Sequence, residues 1–183
     1  MTRRIAALAA VVACAGVCAG PAAASTANSS KATQLCSKVS ASTVSSIIGR
    51  TVPAATGTVL NEKASKENDD IAFSVLNCAY GSDTTIAAIK KTVDVSLETL
   101  SRSLTAADFK KLVDQEHALS GVGVKVVPYP SLGSEAFLVT VSEAGLKLES
   151  LAVESGTKVW GATAEGGLST SKLASLVKLA AKL

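Results

Sequence analysis

The stretch FLVTVSEAGLKLESLAVESGTKVW, residues 137–160, is central to the fold because its apolar side chains recur with the period of β-strands. Phe137, Val139 and Val141 share one face of an extended chain, and they alternate with Leu138, Thr140 and Ser142. Residues 155–157, Ser-Gly-Thr, predict a turn before the next strand. Strands joined by turns this short pair antiparallel. The stretch therefore predicts consecutive antiparallel strands.

Further strands are predicted upstream by the same period of two. The run VDVSLE, residues 93–98, alternates apolar with polar side chains, which is typical of a strand with one face in a core. Residues 71–80 predict another strand. Pro128 and Pro130 place residues 125–130 at an edge of the sheet, because proline cannot donate to a central ladder.

Three segments have the residues that begin helices. In each, a Ser or Thr N-cap lies between two apolar residues that can pack across the first turn. The predicted N-caps are Ser40, Thr105 and Ser169, and the helices cover about 41–48, 106–118 and 170–183. Gly49 ends the first helix, and Asp108 completes a capping box with Thr105.

The order of these elements predicts the fold class. We expect α-β-β-β-α-β-β-β-β-α, an α+β fold in which about three helices pack on an antiparallel meander sheet. The last helix has an apolar stripe that predicts packing on this sheet. The stripe consists of Leu173, Leu176, Val177, Ala180 and Leu183.

The N-terminus has the features of a secretory signal peptide. Arg3 and Arg4 precede an apolar segment at 5–20, and Ala22-Ala23-Ala24 follows Pro21 as a small-x-small cleavage site. We therefore predict a secreted or extracellular protein. Its expected divisions are a signal peptide at 1–24, a flexible spacer at 25–33 and a single domain at 34–183.

A lipid anchor is the alternative to cleavage. Val11-Val12-Ala13-Cys14 is similar to a bacterial lipobox, in which Cys14 would be lipidated and the protein would be a membrane-anchored lipoprotein. Export removes two arginines, so the formal net charge falls from +3 to +1. Lys90-Lys91 and Lys110-Lys111 are isolated pairs, and no localised basic patch is evident. We therefore expect a monomer that does not bind nucleic acid and meets a membrane only through Cys14.

The mature chain retains two cysteines, Cys36 and Cys78. Two cysteines in an exported protein predict one intramolecular disulfide. The alternative is a catalytic thiol with His117 as its base, although no nucleophile motif brackets either cysteine.

The sequence contains only weak matches to known catalytic motifs. Ser169-Thr170-Ser171-Lys172 matches the S-x-x-K nucleophile motif, but its companion motifs are missing and Ser169 is better explained as an N-cap. His117 lies beside Asp114 and Glu116, which is typical of a solvated helix end. Aromatic residues make up only 3% of the chain, so few rings can stack on sugars or bases. We predict no catalytic residue, no cofactor and no metal site.

Three short stretches together resemble a group of small exported actinobacterial domains. They are CSKVSASTVSSIIG at 36–49, NCAYGS at 77–82 and SLGSEAFLV at 131–139. The group includes uncharacterised lipoproteins and the extracellular sensor-like domains of some membrane Ser/Thr kinases. The resemblance implies an α+β domain with a Cys36–Cys78 disulfide and no known catalytic residues.

The functional prediction is an exported, non-enzymatic binding or sensor-like domain. Its ligand would be a small molecule, a lipid or a cell-envelope partner, bound in a groove between the helices and the sheet. One alternative is a secreted hydrolase with an unrecognised nucleophile. Another is a protein-interaction or inhibitor module that acts through a sheet edge.

Overall fold

The structure is a computed structural model that describes residues 29–64, 70–81, 91–105, 108, 123–143, 146–165 and 167–182. Within these ranges the chain has three α-helices and seven strands. The helices are α1 (Ser29–Lys38), α2 (Ala41–Ile48) and α3 (Thr170–Ala181). The strands are β1 (Thr56–Glu62), β2 (Phe73–Tyr80), β3 (Val93–Leu100), β4 (Gly123–Pro128), β5 (Ala136–Glu143), β6 (Leu146–Ser155) and β7 (Lys158–Glu165). A short 3-10 helix, Pro130–Leu132, lies between β4 and β5.

The sheet consists of two antiparallel meanders joined side by side. Its strand order is β1-β2-β3-β7-β6-β5-β4, and every neighbouring pair is antiparallel. The junction is the β3–β7 pair, in which Ser96 lies opposite Gly161. β4 is an edge strand, as Pro128 predicts. The α+β fold with an antiparallel sheet, about three helices and one disulfide is confirmed.

The ends of α2 confirm the predicted helix at 41–48. The Ser40 hydroxyl accepts a hydrogen bond from the Thr43 backbone N–H at 3.3 Å. Gly49 has a φ of 74°, the left-handed conformation that glycine adopts at low cost, and its N–H donates to the Ser45 carbonyl. Both ends of this helix are therefore determined by local sequence.

Helix α1 corrects the predicted spacer at 25–33, because the helix already begins at Ser29. Ala32 and Leu35 of α1 are buried, so this segment belongs to the folded unit. The helix lies close to β1 where Gly57 has no side chain: a Cβ there would be 3.2 Å from the Cβ of Ala32 and 3.3 Å from the Cys36 Sγ. This packing compensates for the weak helix propensity of a Ser- and Thr-rich sequence.

The disulfide links α1 to β2. Cys36 and Cys78 are bonded, with their Cα atoms 5.4 Å apart and a separation of 42 in the sequence. Close by, the buried Tyr80 hydroxyl donates to the Val39 carbonyl at the end of α1. Burial raises the pKa of Tyr80 to about 12. The two cysteines form a disulfide in this structure, and neither is a free catalytic thiol.

The predicted helix at 106–118 lies outside the described residues except for Asp108. Its predicted capping box is nevertheless formed. The Asp108 N–H donates to the Thr105 hydroxyl at 3.2 Å, and the Thr105 N–H donates to the Asp108 carboxylate at 2.7 Å. The predicted leader at 1–24, with Cys14, lies outside the described residues too, so its processing stays a prediction.

The three helices cover one face of the sheet with an apolar core. The core includes Val44, Val93, Leu151, Leu173 and Leu176, none more than 1% exposed. The ligand groove expected between the helices and the sheet stays a prediction. Among the described residues, no helix is both long and apolar enough to cross a membrane.

We expect the variant Leu176→Ala to lower the free energy of unfolding by about 3 kcal/mol, because truncating a fully buried leucine leaves a cavity. Ser175→Ala, on the exposed side of the same helix, is the control and should have an effect within about 0.5 kcal/mol. Urea denaturation measures both. Equal stability of the two variants would contradict the packing of α3.

Candidate functional site

The sheet face opposite the helices holds buried carboxyl groups. Successive residues of a strand point to opposite faces. On β3, Val93 and Val95 join the helix-covered core, so Asp94 and Glu98 lie on the other face. Glu154 of β6 and Glu165 of β7 share that face by register. We call the face with Asp94, Glu98, Glu154 and Glu165 the carboxylate face.

The strand register arranges this face in three rows across β3, β7 and β6. The middle row consists of small residues, Ser96, Gly161 and Ala152. One flanking row consists of Asp94, Thr163 and Ser150, and the other of Glu98, Val159 and Glu154. The middle row has short side chains or none. Side chains therefore extend least far from the sheet between the two rows that contain carboxyl groups.

Glu98 has no exposed surface. In the part of the chain that the structure describes, neither of its carboxyl oxygens has a hydrogen-bond partner. Burial is the main cause, and the charge of Glu154 a smaller one, of a rise in the pKa of Glu98 to about 8. Glu98 is therefore mostly protonated at neutral pH, and none of the described residues forms a hydrogen bond with its carboxyl oxygens.

Asp94 is also buried, but it has a partner. The Asn77 side-chain amide donates to the Asp94 carboxylate at 3.0 Å, and both residues are buried. The pKa of Asp94 is raised to about 6, mainly by burial. The hydrogen bond from Asn77 limits this rise, and the charge of Glu165 adds to it. At pH 7 Asp94 is mostly ionised, so the face holds a negative charge.

Glu154 is linked to the segment that follows β3. The Leu104 backbone N–H donates to one Glu154 oxygen at 2.8 Å, whereas the other oxygen is buried without a partner among the described residues. Burial raises the pKa of Glu154. Further along this segment, Arg102 binds Asp108 through two hydrogen bonds of 2.7 and 3.1 Å, which hold the pKa of Asp108 well below its usual range.

An apolar cluster surrounds these carboxyl groups on the same face. It consists of Ile71, Phe73, Val75, Leu100, Val139, Ala152 and Val159. The cluster excludes water, so charges here interact more strongly than at the surface. No group of three or more His, Cys, Asp or Glu residues suited to a metal ion occurs within the described ranges.

The S-x-x-K residues are engaged in helix contacts. The Lys172 ammonium donates to the Ile48 carbonyl at 2.6 Å, at the end of α2, where a cation complements the helix dipole. The Ser169 hydroxyl lies 3.0 Å from that of Ser171. Ser169 occupies the N-cap position of α3, but its side chain makes no capping hydrogen bond, which corrects its expected role. His117 lies outside the described residues.

The alternation in the run at 93–98 predicts one core face and one polar face, and does not say what the polar face contacts. The structure buries Asp94 and Glu98. A signal was present on β2, whose apolar residues occupy both faces: Phe73 and Val75 on one, Cys78 and Tyr80 on the other. A strand that is apolar on both faces indicates a sheet covered on both sides.

No protein-family model matches this chain, and no curated protein matches it. The chain is similar to a solved structure, the extracellular domain of PknH from Mycobacterium tuberculosis. The TM-score is 0.47 and the sequences are 10% identical, with 84% of this chain and 94% of that chain covered. No ligand, partner or activity follows from so distant a likeness.

Proposed function

We propose that this chain is an exported, non-enzymatic binding domain whose ligand has a cationic nitrogen that lies over the small-residue row, between Asp94 and Glu98. The observation that supports this function is the Glu98 carboxyl group, which is fully buried and has no partner for either oxygen within the described residues. Leaving such a group unsatisfied costs free energy. An ammonium group has three donors and a guanidinium group five, so either can satisfy it.

The charge of the carboxylate face favours a cation over a neutral ligand. The strands that form this face contribute carboxyl groups to it and, among their described side chains, no Lys or Arg. The apolar cluster around the face strengthens the attraction between a carboxylate and a bound cation. Because the carboxyl groups are enclosed, we expect association to be slow and to require local opening over this face.

Titration calorimetry with spermidine and arginine amide as probes, at pH 6.0 and 8.5, tests the proposal. Binding a cation at Glu98 requires the loss of its proton, so we expect at least tenfold tighter binding at pH 8.5. Glu98→Gln should weaken binding at pH 8.5 more than tenfold. Glu62→Gln removes an exposed carboxylate near the end of the sheet and should leave binding unchanged. Equal affinity of wild type and Glu98→Gln, or no binding of either probe, would refute the proposal.

A secreted hydrolase is the second candidate, because Glu98 has the raised pKa of a general acid and Glu154 lies in the same row, two strands away. In that case Glu98 would donate the proton and Glu154 would be its partner carboxylate. Chromogenic glycosides are suitable probes. Turnover that disappears in both Glu98→Gln and Glu154→Gln, while the fold is retained, would favour the hydrolase over the binding domain.

A further inference from the structure

The sheet separates its charged residues between its two faces. Among the strand residues whose side chains are described, the register places Lys125, Lys147 and Lys158 on the side that the helices cover. The acidic residues on the opposite side are Glu62, Asp94, Glu98, Glu154 and Glu165. Glu149 is the exception, and it pairs with Lys147 at 2.8 Å on the helix side. The linear sequence does not show this separation.

The helix layer adds only positive charge to its side. Helices α1, α2 and α3 contain no Asp or Glu. The basic residues in or directly after them are Lys31, Lys38, Arg50, Lys172, Lys178 and Lys182. Of these, Lys31, Lys38, Lys178 and Lys182 are exposed, and Lys172 binds the end of α2. We call the exposed surface of the helix layer the basic side.

We infer that the basic side docks onto the surface of an anionic phospholipid bilayer, which departs from the expectation that the chain meets a membrane only through Cys14. Its exposed lysines form two groups, one on α1 and one at the end of α3. Helix α1 packs on β1 and β2, whereas α3 packs mainly on β7 and β6. These places are about 14 Å apart, given a strand spacing of about 4.8 Å. A small anion can reach one of them, but a planar anionic surface can contact both at once.

Docking through this side would depend on electrostatic attraction and not on the insertion of apolar side chains into the bilayer. The apolar residues of α3 are buried against the sheet, and none of the three helices contains Phe, Tyr or Trp to anchor in the lipid interface. If Cys14 is lipidated, the anchor lies 15 positions before the first residue of α1, so the chain enters the folded domain from the bilayer at this layer.

Vesicle co-sedimentation of the exported protein tests the inference. Vesicles of phosphatidylcholine with 30% phosphatidylglycerol should bind it in 50 mM NaCl, whereas pure phosphatidylcholine vesicles or 500 mM NaCl should abolish binding. Lys31→Gln with Lys178→Gln removes one cation from each place and should weaken binding about tenfold or more, because each basic residue near such a surface contributes about fivefold. Lys63→Gln with Lys91→Gln makes the same change of net charge in loops outside the helices and is the matched control.

The outcomes separate this inference from simpler explanations. Docking through the basic side is supported if Lys31→Gln with Lys178→Gln (the helix variant) loses binding while Lys63→Gln with Lys91→Gln (the loop variant) retains it. An equal loss in both variants would show an effect of net charge alone and would overturn the inference, as would equal binding to neutral vesicles or no binding at 50 mM NaCl. Retention of the protein by polyphosphate but not by vesicles would assign the basic side to a soluble polyanion instead. None of these outcomes depends on the ligand proposed for the carboxylate face.

Discussion

Replacing Cys36 and Cys78 by serine will lower the free energy of unfolding by about 4 kcal/mol, the largest single effect we expect in this domain. The disulfide closes a loop that separates the two cysteines by 42 positions and contains α2 and β1. Opening that loop increases the conformational entropy of the unfolded chain. It also releases α1, whose other contacts with the sheet are made with β1 and β2.

Urea denaturation of the oxidised wild type and the double variant measures this effect. A double alanine variant is a useful control, because Cys78 is fully buried and a serine there adds an unsatisfied hydroxyl group to the loss of the crosslink. Stability of the alanine variant within about 1 kcal/mol of wild type would contradict the stabilising role of the disulfide.

The second large effect is a loss of stability as the pH rises. The pKa of Glu98 is about 8 in the folded protein, above its ordinary value, so the folded state holds a proton that the unfolded state has released. The free energy of unfolding therefore decreases with increasing pH, until the pH passes the folded pKa. We expect it to fall by about 3 kcal/mol between pH 5.5 and 8.0. Asp94, with a pKa of about 6, adds to the same trend at the lower end of this range.

The variant Glu98→Gln isolates this effect, because the amide resembles the protonated carboxyl group and does not titrate. At pH 8.0 it should be more stable than wild type by about 2–4 kcal/mol, and its stability should depend much less on pH. Glu62→Gln, at an exposed position, should leave the pH dependence of wild type unchanged. If the free energy of unfolding depends on pH in the same way in wild type and Glu98→Gln, Glu98 is not buried as described.

The elements that sequence reasoning predicted well are those with local causes. The limits of α2 follow from Ser40 and Gly49, which satisfy the backbone groups at the two helix ends. The Thr105–Asp108 capping box is also formed as predicted. Helix α1 was not predicted, because its Ser- and Thr-rich sequence has little intrinsic preference for a helix and depends on Gly57 and the disulfide.

The candidate site was not predictable in the same way. Asp94 and Glu98 were read as the polar face of an amphipathic strand, and alternation alone cannot show whether that face meets water or protein. Ser96, Gly161 and Ala152 are unremarkable in the sequence, where they are far apart. They form one row because β3 pairs with β7 and β7 with β6.

The amino-acid sequence is sufficient for most of the strands, the caps of α2, the turn at 155–157 and the choice of an antiparallel α+β fold, because these depend on side chains a few residues apart. The junction of β3 with β7 is different, since it joins residues 59 to 71 positions apart and depends on how the two meanders pack. Both the buried carboxyl groups and the basic side result from that arrangement. Burial and charge separation are properties of surfaces brought together in space, and no local pattern determines them.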